Sequence, residues 1–381
     1  MTPLVLAALL GVAPSRIDLV ALERDRVLTA ARVYLAEAPV TITASASPRS
    51  AGGPHDFFSE GDYWWPDPEH PDGPYIQRDG RTNPANFTDH RRYLMRLSVQ
   101  VPALVAAWVI TGERRYADHA VAHLRAWFVD PATRMNPNLE YAQAIHGRAT
   151  GRSIGIIDTI HLVEVSRAIE RLRGSTALPR ETDQAVTAWF MDYLAWLTTS
   201  SRGLEERDAK NNHGTCWVMQ VAAFARLTGR HDLLDAARAR FKDVLVPGQM
   251  ADDGSFPLEL RRTKPYGYSL FNLDAMATIA ALLSTPTDDL WRFQTGDGRG
   301  LRKAMGFMVP FIRDKGSWPY PPDVMYDDQW PRRQASLLFA GLAYDRPDWI
   351  ALWRTLPADS DVQEVVRNFF IRQPLLWIGG A

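Results

Sequence analysis

One cysteine, Cys216, stands among 381 residues, which excludes an internal disulfide. Metal-binding patterns are missing as well. The nine histidines are scattered, with no His-Glu-x-x-His and no cysteine–histidine set, so a zinc site is weakly supported and no cofactor is expected. His119 and His123 fall four apart on one helical face; that spacing could hold a metal, but it reads better as a solvated pair. No Gly-x-Ser-x-Gly elbow offers a nucleophilic serine. Charge of one sign is lacking: the net charge of −1 gives no global field to draw nucleic acid or a membrane surface, although charge can still cluster locally. No apolar run is read as long enough to span a membrane. Alternating β patterns are almost absent.

What is present is helical and aromatic. Hydrophobic residues make up 46% and charged residues 23%, ordinary for a globular chain with a substantial core. Thirteen Trp, twelve Tyr and fifteen Phe are enough to line a groove as well as fill a core. Apolar spacing predicts helices over 17–36, 92–111, 115–129, 154–173, 182–199, 216–227, 232–245, 268–283, 301–313, 334–343 and 362–371. Thr111-Gly112-Glu113-Arg114 and Thr228-Gly229-Arg230-His231 each close one helix and open the next. Short links make antiparallel neighbours, and so many pairs without a strict repeat suggest an all-α toroid, complete or incomplete, in one domain over 1–381. The N-terminal run Met1–Ala13 is apolar without a basic flank. It reads as an amphipathic first helix or as a trimmed signal peptide; the expected location is periplasmic or secreted, with a cytoplasmic one left open.

The stretch 44–89 breaks the pattern, with many Pro and Gly, no helical period, and the run Tyr63-Trp64-Trp65-Pro66-Asp67-Pro68 followed by Gln77-Arg78-Asp79-Gly80. Long irregular segments inside a compact domain are usually functional, so it is expected to be a lid or substrate-binding arm. A structural arm capping the helix layers is the plain alternative.

Three polar clusters each precede a helix. Asn211-Asn212-His213-Gly214 packs two amides, an imidazole and a glycine where a connection needs only turn residues; an Asn N-cap is the plain alternative. Gln143, His146, Arg148 and Arg152 form the second, with a capped helix start and solvated arginines as the alternative. Arg261, Arg262, Lys264, Tyr266 and Tyr268 form the third. Arginine binds carboxylate with paired hydrogen bonds, and a tyrosine whose pKa is lowered by nearby cations can move a proton. A charged turn with two packing tyrosines is the alternative.

These clusters, in this order on a helical chain, resemble the alginate-lyase superfamily of polysaccharide lyases. The likeness runs from about Phe57 to Asp345 and rests on Asn211-Asn212-His213-Gly214, the Gln143 cluster and Arg262-Thr263-Lys264 through Tyr268-Ser269 to Phe271-Asn272-Leu273. Tyr63 to Pro68, with Asp79-Gly80 and Asn83-Pro84, looks more like the glucuronan-lyase branch than the mannuronate lyases. The resemblance implies an α/α toroid that cleaves an anionic polyuronate by β-elimination without metal. It implies that Asn212 and Arg262 hold the carboxylate, with Arg261 a rival to Arg262. It gives His213 and Tyr268 the protons: Tyr268 is the acid, and also the base when proton and leaving oxygen share a face, with His213 the base otherwise. Gln143, His146 and Arg152 would line neighbouring subsites, Tyr63, Trp64 and Trp65 would stack on sugar rings, and Arg78 and Tyr266 would add substrate contacts. A toroidal glycoside hydrolase acting on acidic oligosaccharides and a non-catalytic carbohydrate-binding protein are the competing readings.

Overall fold

The structure, a computed structural model, describes residues 17–378. The N-terminal run Met1–Ala13 lies outside the described residues. Five helices pack one against the next as an inner layer: Asp89–Thr111, Leu162–Leu172, Asn212–Thr228, Pro265–Leu283 and Ala335–Ala343. Most of their residues are buried; Pro265–Leu283 leaves few of its nineteen residues in contact with water. Outer helices lean on them. Leu19–Tyr34 and Arg114–Phe128 pack on Asp89–Thr111, Arg180–Thr199 and His231–Arg240 on Asn212–Thr228, Leu301–Arg313 on Pro265–Leu283, and Pro347–Thr355 on Ala335–Ala343. An outer helix needs one apolar stripe only. Arg114–Phe128 shows it, burying Tyr116, Ala117, Ala120, Val121, Leu124, Trp127 and Phe128. Gly112 and Gly229 end their helices in the left-handed conformation (φ 71° and 72°), as the turn chemistry predicts.

The toroid is incomplete, and the C-terminal segment fills the gap. Pro374–Leu376 packs on Leu19–Tyr34, Asp89–Thr111 and Leu162–Leu172, while Trp377 lies 5.5 Å from Phe339 of the last inner helix. The buried carboxylate of Glu164 accepts the backbone N–H groups of Arg372 and Gln373, at 2.9 and 2.8 Å. Glu23 reaches across the closure to Arg333, at 2.7 Å.

Some sequence expectations change. The helix expected over 154–173 is broken into a 3₁₀ segment, Ser153–Thr159, and Leu162–Leu172. Gly155 explains the tight winding: a Cβ there would meet the Ala142 carbonyl oxygen at 2.7 Å, so strand and segment touch backbone to backbone. The helix after Gly229 ends at Arg240 and continues as a π turn, Phe241–Leu245. Ser201–Arg207 and Pro347–Thr355, both short, were not anticipated. Asp89–Thr111 is long and apolar enough to cross a membrane, against the reading of the sequence, but 67% of its apolar window is buried inside the protein. His119 and His123 are not a solvated pair. His123 is buried, its ring nitrogen lies 3.3 Å from that of His119, and burial with the neighbouring positive groups pulls its pKa down to about 4.

The arm is irregular but tied down. Phe58–Glu60 pairs in parallel with Tyr141–Ala144, and Trp64–Trp65 pairs antiparallel with Ile76–Gln77. The Asn83 and Asn86 amides donate to the carbonyls of Trp64 and Gly61, at 2.9 and 2.8 Å, holding the turn in place of a helix or sheet.

Candidate active site

An open cleft of about 380 Å³ lies between the arm and the N-terminal ends of two inner helices. Asn212 and His213 stand in the first turn of Asn212–Thr228, and Tyr268 in the first turn of Pro265–Leu283. First-turn N–H groups point out of a helix, and its dipole is positive there, so both ends favour an anion.

Asn212 and His213 are each held by a buried carboxylate. The backbone N–H of Asn212 donates to Glu259 Oε1 at 2.7 Å, and its Nδ2 donates to Oε2 at 2.6 Å. The alternative of an asparagine cap is therefore not what the structure shows: Asn211 makes no side-chain cap bond, and Glu259 supplies the acceptor from another segment. Burial raises the Glu259 pKa, while the two Asn212 bonds and the charge of Arg262 oppose that. His213 Nδ1 lies 2.7 Å from Glu206 Oε1, which orients the ring and leaves Nε2 as its other polar atom. Gly214 is needed because a Cβ would sit 2.2 Å from the Ala209 carbonyl oxygen, closing the turn that delivers both residues.

Arm residues hold the other two. Tyr268 Oη lies 2.7 Å from Tyr63 Oη, and Arg262 Nη2 donates to Tyr268 Oη at 3.3 Å, with its Cζ 4.5 Å above the ring. The Arg262 fork is engaged by Asp79, through Nε at 3.2 Å and Nη2 at 2.7 Å, and Thr263 donates to the same carboxylate at 2.9 Å. Burial works to raise the Asp79 pKa, yet Arg262 and Thr263 hold it below the ordinary carboxylate value. The expected lowering of Tyr268 by a cation is supplied by Arg262 but does not prevail. Burial pushes its phenol well up and outweighs the opposing pull of Arg262 and Tyr63. Of the expected cations, Arg261 is exposed and turned back to the Pro257 carbonyl, while Lys264 pairs with Glu364. Arg261 is thus no rival to Arg262 for the cleft.

The flank is built on Arg152. Its Nε donates to the Gln143 carbonyl at 2.7 Å, its Nη2 reaches Gln143 Oε1 at 3.3 Å, and its Cζ lies 5.7 Å from the Trp64 ring. Gln143 adopts φ 50°, an unusual conformation for a non-glycine, held by Ser59 and Asp158. Arg152 makes no ion pair among the described residues, and burial pulls its pKa down to about 10. A guanidinium that is desolvated without a carboxylate partner is suited to an incoming anion.

Other predicted residues lie elsewhere. His146 is exposed and lines an adjoining groove with Arg148 and Arg202. Trp65 donates to the Arg81 carbonyl and carries Arg78 5.3 Å from its ring, outside the cleft lining. Tyr266 is core: it is fully buried and donates to the Phe311 carbonyl at 3.1 Å. Asp62, Arg367 and Asn368 line the cleft although the sequence gives them no role, and Asp79, noted there only as part of a motif, lines it too. Arg367 meets Asp62 and Asp158 from the far C-terminal end, and Asp62 also meets Arg91. Nothing in local sequence marks such distant partners. Among the described residues, no group of three or more His, Cys, Asp or Glu side chains is placed to hold a metal.

Comparison with known proteins bears on the family and the fold. The sequence model of a family described as Alginate lyase matches residues 41–318. A crystal structure of an alginate lyase from Bacteroides ovatus superposes with a TM-score of 0.81 at 32% identity, covering 94% of this chain and 93% of that one. Alginate lyase A1-III, in a histidine-to-alanine variant complexed with tetrasaccharide, gives 0.58 at 15% identity, covering 94% of each chain. Its tyrosine-to-phenylalanine variant, also complexed with tetrasaccharide, gives 0.55 at 15% identity over 95% of each chain. Those two distant likenesses speak to the fold. Among curated proteins, none matches this chain. The family match over most of the sequence, and a relative aligned over nearly all of it, place this protein in the alginate lyase family of polysaccharide lyases.

Proposed function

We propose that this lyase cleaves β-1,4-linked polyuronates, glucuronan or polymannuronate, by metal-independent β-elimination that leaves a 4,5-unsaturated uronate end. The observation that carries the reading is that Asn212, His213, Arg262 and Tyr268, remote in sequence, line one cleft. The A1-III complexes support a saccharide occupant for such a cleft.

The chemistry asks for two things. The C5 proton is barely acidic while the neighbouring carboxylate is charged, so donors must neutralise that carboxylate and stabilise the enolate-like state. Asn212 supplies amide N–H, and Arg262 supplies charge and its Nη1, since Asp79 engages Nε and Nη2. Protons must then move: the C5–H bond breaks, its electrons form the C4–C5 double bond, the C4–O4 bond breaks, and O4 takes a proton. In both D-glucuronate and D-mannuronate the C5 hydrogen and O4 lie on one face of the ring. One phenol can serve both steps there. Tyr268, kept protonated by burial, is ready to protonate O4. Acting also as base requires it to ionise first, which the charge of Arg262 favours. His213 takes the base role for the opposite arrangement. A polymer substrate fits a periplasmic or secreted enzyme.

A panel of purified polyuronates, followed by ultraviolet absorbance of the unsaturated product, tests the reading. Absorbance should rise with glucuronan or polymannuronate; reducing ends appearing without it would mean hydrolysis instead. Activity is expected to persist in EDTA, and a complete loss restored by a divalent metal would overturn the metal-free step.

A further inference from the structure

Glu259 does not line the cleft, and it is 1% exposed. Both of its carboxylate oxygens are nonetheless spent on one cleft residue, at 2.7 and 2.6 Å from the backbone nitrogen and Nδ2 of Asn212. A first-turn N–H is satisfied by any acceptor, water included. Burying a carboxylate for that purpose alone is costly, so helix capping does not account for the choice.

We propose that Glu259 is a positioning residue for elimination: it fixes which way round the Asn212 amide stands, so that an N–H remains for the uronate carboxylate. The inference rests on the lyase reading above. A side-chain amide is nearly symmetrical in shape and opposite in polarity at its two ends. A carboxylate accepts only, so Nδ2 must face Glu259 and Oδ1 must turn away. Without that constraint the amide could swing its oxygen onto the uronate carboxylate, where two acceptors repel. Glu259 also begins the turn that carries Arg262, whose backbone N–H donates to the Glu259 carbonyl at 3.0 Å. Both groups assigned to the sugar carboxylate are thus referred to one buried anchor.

Replacing Glu259 by Gln keeps the size and breaks the pattern. The Gln oxygen can stay on the backbone N–H; its NH₂ then needs an acceptor, and only a reversed Asn212 amide offers one. The test is a double-mutant cycle on a uronan that the wild type cleaves, using Glu259→Gln, Asn212→Ala and the double variant, with thermal melting of each. Glu259→Gln should lower kcat about 30-fold or more with KM changed by less than about threefold, and in the Asn212→Ala background should cost less than about twofold further. Losses that multiply independently, or a Glu259→Gln enzyme within about threefold of wild type, overturn the inference. If Glu259→Gln does not fold, Glu259→Asp, which keeps the charge and shortens the reach, enters the same cycle under the same criterion. Wild-type turnover separates the two ideas. No uronan cleaved by wild type sinks the proposed function and this inference together; wild-type turnover with independent losses sinks the inference alone.

Discussion

The two sides of the cleft hold their reactive groups differently. On the helix side, Asn212 and His213 rest on Glu259 and Glu206, each 1% exposed and built into the helical body. On the arm side, Tyr268 and Arg262 rest on Tyr63 and Asp79, which belong to a segment with only a few strand residues; the Asp79 side chain keeps 29% of its exposure. A buried ionic hydrogen bond works in low dielectric and costs no reorganisation when substrate arrives. A half-exposed one is screened and lasts only while the arm is in place. The helix side is set by the packed helices, and the arm side by an irregular segment tied down beside them.

The largest effect is expected from removing the phenol that the arm side holds. Tyr268→Phe should lower turnover about 10³-fold or more while polymer binding survives; retained turnover would take Tyr268 out of the mechanism. The helix side should be the more costly partner to disturb. Glu206→Gln keeps an acceptor for His213 Nδ1 but drops the buried charge, and should lower kcat about 10²-fold. The arm side should be milder: Asp79→Asn should lower kcat/KM about tenfold, worth about 1.4 kcal/mol. If Asp79→Asn proves worse than Glu206→Gln, the contrast between the sides is wrong.

The arm should also show a pH signature that the helix side lacks. The folded pKa of Asp79 lies below its ordinary value of 3.8. Its contribution is therefore fully present above that value and is lost as pH falls below it. Protection from hydrogen exchange within 76–82, taken relative to the intrinsic rate at each pH, should fall below about pH 4 in wild type and be lower already at neutral pH in Asp79→Asn, whereas protection at 212–216 should be unaffected by the substitution. The smallest effect belongs to Tyr63→Phe, at about threefold in kcat. The Tyr63 hydroxyl pulls the Tyr268 pKa down, so its loss should move any alkaline limb that reports a protonated Tyr268 to higher pH. A shift to lower pH would show that the bond works in the other direction.

Sequence alone settled a good deal. Helical apolar spacing, with glycines at 112 and 229, determined the helix layers, because burying one face of each helix leaves little freedom in its pattern. Leu301–Arg313 appears with the predicted bounds, whereas the 154–173 helix breaks where Gly155 touches Ala142, a contact no local pattern carries. The clustering of an amide, imidazole, guanidinium and phenol before helix starts was legible because each lies within a short stretch. Tyr266 and Tyr268 could not be told apart that way, since two positions along a helix decide core against cleft only once neighbours are in place. Tertiary structure alone chose the partners: Glu206 for His213, Glu259 for Asn212, Asp79 for Arg262 and, through them, the direction of each polar group. Their separations run from seven residues to 183. It also decided the protonation of Tyr268, because burial is a property of everything packed around a side chain, and neighbours in sequence supply only the opposing charge.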